Sequence, residues 1–421
     1  MDTKARSTVF SSANPHALAI ILEASETKSI IAATDIFDIR GIKLWARDRP
    51  VSAELQRKLQ DRQLRDPLET CLVAEDGVTT ATLLQTAQAL MAEPTPLQRL
   101  LRPHAEKILR EIPQLPLHPV AQLLLTAGEA SRPEAFEHAV AAMALCGALM
   151  DAHGGNASEL RAAMLCGLLH DLGEMYIDPQ FGEADAEQNL DFESYQQLVV
   201  HPHIGGLLVA QLTNYPKSVA QAIGEHHERL DGSGYPRGLQ REAVSPLGKM
   251  LAVAESVLGV LRAPDAQLSR LSIALRVVPG EFDLTWVGEI ARLAQQDTGV
   301  VSHRDRAELA QRLTQLDAAL KEAHDSIEVL ATSAESDALI GALKLSDGLL
   351  DRLRTGWYAS GLWSVDAISP DDAGEVEAIE DELIHRLCAI ERAAWLKAGT
   401  LSAGDAHRLN LLGQSLQSVG R

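Results

Sequence analysis

The sequence predicts a mainly α-helical protein, with a helical core domain between a small mixed α/β N-terminal segment and a helical C-terminal domain. Segments rich in Ala and Leu, with few β-branched runs, favour helix. Hydrophobic residues make up 46% of the chain but aromatic residues only 4%, so packing must depend on aliphatic side chains. A chain of 421 residues is expected to hold two or three domains. We place them at residues 1–125, 126–297 and 298–421.

The N-terminal segment is predicted to contain two short strands followed by helices. The strands are predicted at residues 29–38 and 41–45, around a turn at 38–41. Helices are predicted at 52–65 and 79–91. A stretch punctuated by prolines then indicates connecting structure, with a helix at 97–111. This segment carries no recognisable chemistry and is predicted to be regulatory.

The central segment is strongly helical. Pro133 suits a first helical turn, and residues 136–150 are apolar almost all round, which marks a buried helix. Asn156 and Glu159 fit a capping box that opens the next helix, which runs through Leu169. The remaining helices of this segment are predicted at residues 192–200, 203–211 and 217–228, and after Pro246, where Met250, Leu251, Ala254 and Leu258 share one face.

The C-terminal segment contains three long amphipathic stretches, at residues 308–332, 336–355 and 375–397. Such helices joined by short loops favour an antiparallel bundle. Their spacing also suggests dimerisation of the chain or docking of a partner.

Composition excludes several classes of protein. A formal net charge of -20 argues against binding to DNA, which needs a basic surface, although a local site can still attract a small anion. The four cysteines are scattered without a C-x-x-C, so we expect free thiols and neither disulfides nor a thiolate zinc site. No apolar run reaches the ~18 residues of a membrane span, and the chain is expected to be cytoplasmic.

The residues that point most strongly to a chemical function are five histidines and three carboxylates. Glu134 and His138 are spaced i, i+4, so one helix face presents both. His170 and Asp171 end the next helix. The others are His201, which opens His-Pro-His-Ile-Gly, His226 and His227, which are predicted to end a helix, and Glu255, on an otherwise apolar stripe.

Each of these residues alone has a structural explanation, such as a histidine at a helix terminus. Together they need compensation for buried polarity, which metal ions usually supply. Imidazole and carboxylate ligands without sulfur suit iron, manganese or zinc. The set exceeds the needs of one ion, and two or three neighbouring ions form a machinery for phosphoester cleavage. A purely structural helical protein would have no reason to gather these side chains.

Two motifs resemble a known family. His170-Asp171-Leu-Gly is similar to the H-D-x-G opening of the HD hydrolase superfamily. The segment His226-His-Glu-Arg-Leu-Asp-Gly-Ser-Gly-Tyr-Pro236 resembles the H-H-E-x-x-D-G-x-G-Y-P signature of HD-GYP domains, and Gly280-Glu-Phe-Asp-Leu resembles the domain's tail. The resemblance covers about residues 130–295 and implies an HD-type helical bundle. It also implies hydrolysis of the bacterial messenger cyclic di-GMP.

The resemblance implies roles for individual residues. His170 and Asp171 would be catalytic, with Asp171 positioning or deprotonating the attacking water. Glu134 would supply the extra carboxylate of trinuclear members. The metal ligands would be Glu134, His138, His170, Asp171, His201, His226, His227 and Glu255, and the loop at the site mouth, for ligand or partner contact, would contain Asp231, Gly232, Gly234, Tyr235 and Pro236.

The chain resembles a divergent member of this family, because it departs from the family pattern at three places. Glu174 stands where the family has a lysine expected to face the substrate phosphate. Glu255 replaces the last aspartate ligand, and Arg262-Ala-Pro is the nearest remnant of a basic R-P-Y-R segment. Two alternatives follow. One is a phosphodiesterase acting on cyclic di-GMP with two or three divalent ions. The other is a signalling scaffold that binds metal and a protein partner, such as a diguanylate cyclase, without hydrolysis.

Overall fold

The computed structural model describes residues 9–181, 192–262, 266–294, 302, 304–361 and 373–417. It contains two compact units, Met1–His226 and His227–Arg421. The described residues are mainly helical with a few short strands in the first unit, which confirms the predicted fold class. The three-domain division made from the sequence stays a prediction.

The strands of the first unit form two small antiparallel sheets. β1 (Ile30–Ala32) pairs with β4 (Leu72–Ala74), while β2 (Ile36–Phe37) pairs with β3 (Lys43–Trp45). The single strand predicted at residues 29–38 is therefore wrong, because it is two strands that belong to different sheets. The predicted turn is present, since the Asp38 carboxylate accepts hydrogen bonds from the backbone within it.

Short helices surround these sheets. They are α1 (Pro15–Ala24), α2 (Ala53–Leu59), α3 (Leu68–Cys71), α4 (Thr80–Ala92), α5 (Pro96–Leu101), α6 (Ala105–Glu111) and α7 (Pro119–Ser131). The sequence did not predict α1, α3 or α7, and α2 ends six residues before the predicted 65. The helix predicted at 97–111 is divided into α5 and α6 by a 3-10 turn at Arg102–His104, because Pro103 cannot continue the helical hydrogen bonding.

Two helices form the centre of the first unit. α8 (Pro133–Ala152) begins at Pro133, as predicted, and α9 (Ala157–Leu169) begins with the predicted capping box of Asn156 and Glu159. Among the described helices, only α8 is long and apolar enough to cross a membrane, and 72% of its apolar window is buried inside the protein. This corrects the expectation that no stretch would reach that length.

A 3-10 segment, His170–Tyr176, follows α9 directly, and three more helices complete the first unit: α10 (Phe192–Leu198), α11 (His201–Leu212) and α12 (Lys217–Ile223). The prediction that a helix extends from 217 to 228 is wrong. α12 ends at Ile223, so His226 and His227 lie in the turn after the helix and do not end it.

The second unit consists of α13 (Pro246–Leu261), α14 (Leu268–Ala274), α15 (Leu284–Ala294), α16 (Arg306–Thr332), α17 (Asp337–Ser360), α18 (Ala373–Ala398) and α19 (Ala403–Gln417). The predicted helix after Pro246 and its buried face are confirmed. The three long C-terminal helices are confirmed as α16 to α18, and α19 was not predicted. Their leucines form one core with Val277 and Val278, from the segment after α14.

All four cysteines are free, and Cys71, Cys146 and Cys166 are buried. This confirms the expectation of free thiols. Burial raises the pKa of the Cys166 thiol to about 12, so this cysteine is an inert core residue.

Candidate metal centre

Four histidines of the first unit surround the carboxylate of Asp171. Nε2 of His138, on α8, lies 3.3 Å from Nε2 of His170, at the end of α9. Nε2 of His201, at the start of α11, lies 3.1 Å from Nε2 of His226, after α12. Residues that are far apart in sequence therefore meet as two histidine pairs.

Asp171 lies between the two pairs. Its Oδ2 atom is 2.9 Å from Nε2 of His170 and 3.5 Å from Nε2 of His138. Its Oδ1 atom is 3.4 Å from Nε2 of His226 and 3.6 Å from Nε2 of His201. One carboxylate thus presents one oxygen to each pair.

The backbone fixes the orientation of three of these rings. Nδ1 lies 2.7 Å from the Gly167 carbonyl oxygen in His170, 2.8 Å from the Leu198 oxygen in His201 and 2.7 Å from the Ile223 oxygen in His226. A carbonyl can only accept, so each Nδ1 must carry the proton and donate it. Nε2 of the neutral ring is then left with a lone pair, the form in which imidazole binds metal.

These side chains fit a bound cation. When neutral, His201 and His226 turn two lone pairs toward each other, which is unfavourable unless a cation lies between them. Neighbouring ligands of one ion, each about 2.1 Å from it, lie about 3.0–3.4 Å apart, close to the spacings within each pair. Oxygen and nitrogen ligands without sulfur suit iron, manganese or zinc. The described residues therefore offer metal-binding groups at His138, His170 and Asp171 and at His201 and His226.

Burial and charge act in opposite directions on Asp171. Burial raises the pKa of its carboxyl group, but charge and hydrogen bonding from His170, with hydrogen bonding from His201 and His226, outweigh this and hold the pKa well below its usual range when the rings carry a second proton on Nε2. A bound cation would take the place of those protons and act on the carboxylate in the same direction. Asp171 therefore stays ionised at neutral pH and supplies the negative charge that a cation needs.

Glycines allow the helices to approach closely enough to form this cluster. A Cβ atom on Gly167 would lie 2.4 Å from the Ala142 oxygen, so this glycine lets α9 cross α8. A Cβ atom on Gly173 would lie 2.0 Å from the His201 oxygen, so Gly173 brings the 3-10 segment onto α11. The role of Gly167 was not predicted, although a glycine within an apolar helix was the available signal.

The N-terminal segment holds the far end of the 3-10 segment. The Tyr176 hydroxyl donates to the buried carboxylate of Glu69 (2.8 Å), and the Asn14 side chain donates to the Tyr176 carbonyl (3.1 Å). The Phe10 and Tyr176 rings meet edge to face. Sequence reasoning missed this link, because nothing local to Glu69 or Tyr176 predicts that they meet.

Glu134 and Glu174 are two further residues of the first unit that the sequence analysis singled out. Glu134 is exposed on the first turn of α8 and is not in the metal-binding groups found among the described residues. Its role as a ligand stays a prediction. Glu174, which stands where the resembled family has a lysine, is only 7% exposed.

The second unit carries His227 and Glu255. The His227 ring stacks on Tyr235, with centroids 4.5 Å apart. Glu255 is buried on α13, and its Oε1 atom lies 3.6 Å from Nη2 of Arg262. The other two residues of the basic remnant, Ala263 and Pro264, lie outside the described residues. The assignment of His227 and Glu255 as ligands stays a prediction.

The predicted loop after His227 is compactly folded. The buried Glu228 carboxylate accepts hydrogen bonds from the backbone N–H groups of Arg237 and Leu239, both at 2.8 Å. A Cβ atom on Gly234 would lie 2.3 Å from the His227 carbonyl oxygen, so the motif requires glycine there. Gly232 has φ +89°, which also favours glycine.

The other loop residues have local partners. The Asp231 carboxylate accepts hydrogen bonds from the backbone and hydroxyl of Ser233. Pro236 follows Tyr235 through a cis peptide bond. The role of this loop in contacting a ligand or partner stays a prediction.

Comparison with known proteins gives the family of the central segment. Residues 129–257 match the HD domain family. The chain is 34% identical over 154 residues to a cyclic di-GMP phosphodiesterase of Pseudomonas aeruginosa, which is 36% of each chain. It is 30% identical over 136 residues to a 3'3'-cGAMP-specific phosphodiesterase of Vibrio cholerae, which is 32% of this chain and 31% of that protein. The chain thus spans about a third of the length of these curated relatives.

Proposed function

Proceeding from the HD domain, we propose that this protein is a metal-dependent phosphodiesterase that hydrolyses a cyclic dinucleotide, with cyclic di-GMP as the first candidate. We further propose that the domain is of the HD-GYP type and holds two or three divalent ions of iron or manganese, with zinc as the alternative. The observation that carries the proposal is the position of the Asp171 carboxylate between two histidine pairs. The similarity to two cyclic-dinucleotide phosphodiesterases supports the substrate class.

The residues of the centre would share the work as follows. His138 and His170 would hold one ion and His201 and His226 a second, with Asp171 bridging both. Bound divalent ions supply a water of lowered pKa and neutralise charge on the phosphodiester. The ionised Asp171 carboxylate can accept a hydrogen bond and so orient an attacking water along the P–O bond that breaks.

The carbonyl acceptors of His170, His201 and His226 would keep the rings in place during turnover. Each ring donates its only N–H to the backbone, so it cannot rotate without losing a buried hydrogen bond. The rings are therefore set before substrate binds, which lowers the reorganisation needed in the reaction.

The test is a hydrolysis assay on the full chain with added Mn²⁺ or Fe²⁺. Cyclic di-GMP and 3'3'-cGAMP are supplied separately, and linear products are separated by chromatography. We expect turnover of at least one of these two dinucleotides, and we expect it to be abolished in Asp171→Asn. If the wild-type chain is loaded with metal and cleaves neither dinucleotide, the proposed phosphodiesterase activity is refuted.

Two features favour a second function, a metal-bound signalling scaffold that binds a protein partner without hydrolysis. Glu174 places a buried carboxylate where the resembled family has a phosphate-facing lysine, and it would repel an anionic substrate. Arg262 lies against Glu255, so it is not free to meet a phosphate. Glu174→Lys distinguishes the two functions, because a latent enzyme should gain turnover and a scaffold should not.

A further inference from the structure

The C-terminal helices of the second unit hold the segment that links α14 to α15. Val277 and Val278 are part of the core of the long helices. A Cβ atom on Gly356 of α17 would lie 2.1 Å from the Val277 oxygen, so backbone and helix are in direct contact there. Arg386 of α18 donates to the Ala274 carbonyl (2.9 Å). This segment is therefore packed directly against the C-terminal helices.

The same segment reaches the histidine motif through Glu281. The Glu281 carbonyl accepts a hydrogen bond from the Leu230 backbone (2.9 Å), three residues after His227. The buried Glu281 carboxylate lies between two guanidinium groups, with Oε2 3.3 Å from Nε of Arg386 and Oε1 3.9 Å from Nε of Arg229. Arg386 also pairs with Glu382 on its own helix.

Arg229, which lies near Glu281, also contacts α13. Its guanidinium donates to the Ser256 hydroxyl (3.1 Å), next to Glu255, and to the Glu228 carbonyl (3.1 Å). It also lies 4.9 Å from the centroid of the Phe282 ring. One arginine thus contacts the motif loop, the helix of Glu255 and the segment held by the C-terminal helices.

We propose that Arg386, Glu281 and Arg229 are positioning residues through which the C-terminal helices set the geometry of the His227 and Glu255 segments. This inference rests on the proposed function, because it takes His227 and Glu255 as metal ligands. An ion pair between a guanidinium and a buried carboxylate is directional, and its removal leaves the buried Glu281 charge with Arg229 as its remaining ion-pair partner among the described residues. The long C-terminal helices would therefore support full metal loading by holding the His227 and Glu255 segments in place.

Mn²⁺ titration of the full-length metal-free chain tests this, with free Mn²⁺ followed by electron paramagnetic resonance. Arg386→Met should weaken the more weakly bound Mn²⁺ by about tenfold or more, as loss of a supporting contact typically does. The tightest Mn²⁺ should be unchanged, because the cluster around Asp171 is left intact. Lys397→Met, an exposed residue on the same helix, is the control and should bind as wild type.

The double variant Glu281→Gln, Arg386→Met separates positioning from stability. It removes the carboxylate charge together with the guanidinium, so its melting temperature should recover much of the loss in Arg386→Met. The affinity for the more weakly bound Mn²⁺ should stay as low as in Arg386→Met, because glutamine cannot form the ion pair with Arg229. Recovery of Mn²⁺ affinity in parallel with melting temperature would overturn the inference.

The remaining outcomes are also distinct. Wild-type affinity in Arg386→Met would overturn the inference and leave the proposed function standing. A wild-type chain that binds no Mn²⁺, Fe²⁺ or Zn²⁺ would overturn both. If Arg386→Met alone does not fold, the double variant is compared directly with wild type and decides the result.

Discussion

Gly173 is the most demanding position in the centre, and we predict that Gly173→Ala disrupts metal binding. A Cβ atom there would lie 2.0 Å from the His201 carbonyl oxygen and 2.8 Å from the Gly205 nitrogen. Real Cβ atoms essentially never come closer than 3.0 Å, so the 3-10 segment and α11 must separate by about 1 Å. Both neighbours are backbone atoms that cannot turn aside.

That separation moves Asp171 relative to His201 and His226. Metal–ligand distances tolerate changes of about 0.2 Å, so a displacement of about 1 Å is several times too large. We expect the affinity for Mn²⁺ to fall by at least roughly 10- to 100-fold, the range for loss of supporting structure. Overpacking should also lower the free energy of unfolding by about 1–3 kcal/mol.

Isothermal titration with Mn²⁺ and thermal unfolding measure both effects. Gly128→Ala on α7 is the matched control, because a Cβ atom there meets nothing within 4 Å. It should bind metal as wild type and be stabilised by about 0.5–1 kcal/mol, the usual gain of alanine over glycine in a helix. Gly173→Ala with wild-type affinity would refute the reasoning that this glycine sets the centre.

Three further predictions follow from the same structure. Asp171→Asn should lose metal from both histidine pairs together. The measurement is the metal content per chain after dialysis, and loss from one pair only would contradict a role of Asp171 as a ligand shared by both pairs. Removal of metal with a chelator should lower the melting temperature by roughly 5–10 °C, if each ion was present at about 100 times its dissociation constant; an unchanged melting temperature would count against bound ions. Burial raises the pKa of Glu69 against the opposing hydrogen bonds, so its contribution to stability is present below about pH 4.3 and is lost as pH rises through the folded-state pKa. The melting temperature of wild type minus that of Glu69→Gln should therefore fall as pH increases from 4 to 7, and a difference that rises would contradict the shift.

The sequence predicted well those features that depend on neighbouring residues. The start of α9 follows from Asn156 and Glu159, which complete a capping box within one turn. The burial of α8 follows from its nearly continuous apolar sequence. The motif histidines were found because each motif is short and its residue types are chemically distinctive.

Features that depend on distant partners were not predictable. β1 pairs with β4, about forty residues along the chain, so local pattern merged β1 with β2. The helix was predicted to extend past Ile223 although Gly224, directly after it, is a local signal for helix termination. The structure ends it there because Nδ1 of His226 donates to the Ile223 carbonyl and the Glu228 carboxylate binds the loop backbone, both of which compete with helical hydrogen bonds.

The centre itself was predicted only as a set of residues. That Asp171 lies between two histidine pairs depends on close crossings at Gly167 and Gly173, which no local pattern reveals. The link from Glu281 to Arg386 joins residues more than a hundred positions apart. Such contacts are set by tertiary packing, which a single sequence does not specify.

The most direct test of the central claim is elemental analysis of the full chain, purified without chelator and reconstituted with Fe²⁺ or Mn²⁺. The two histidine pairs around Asp171 predict at least two divalent ions per chain, falling sharply in Asp171→Asn. A reconstituted wild-type chain that holds no stoichiometric metal, with helical content intact by circular dichroism, would contradict the account.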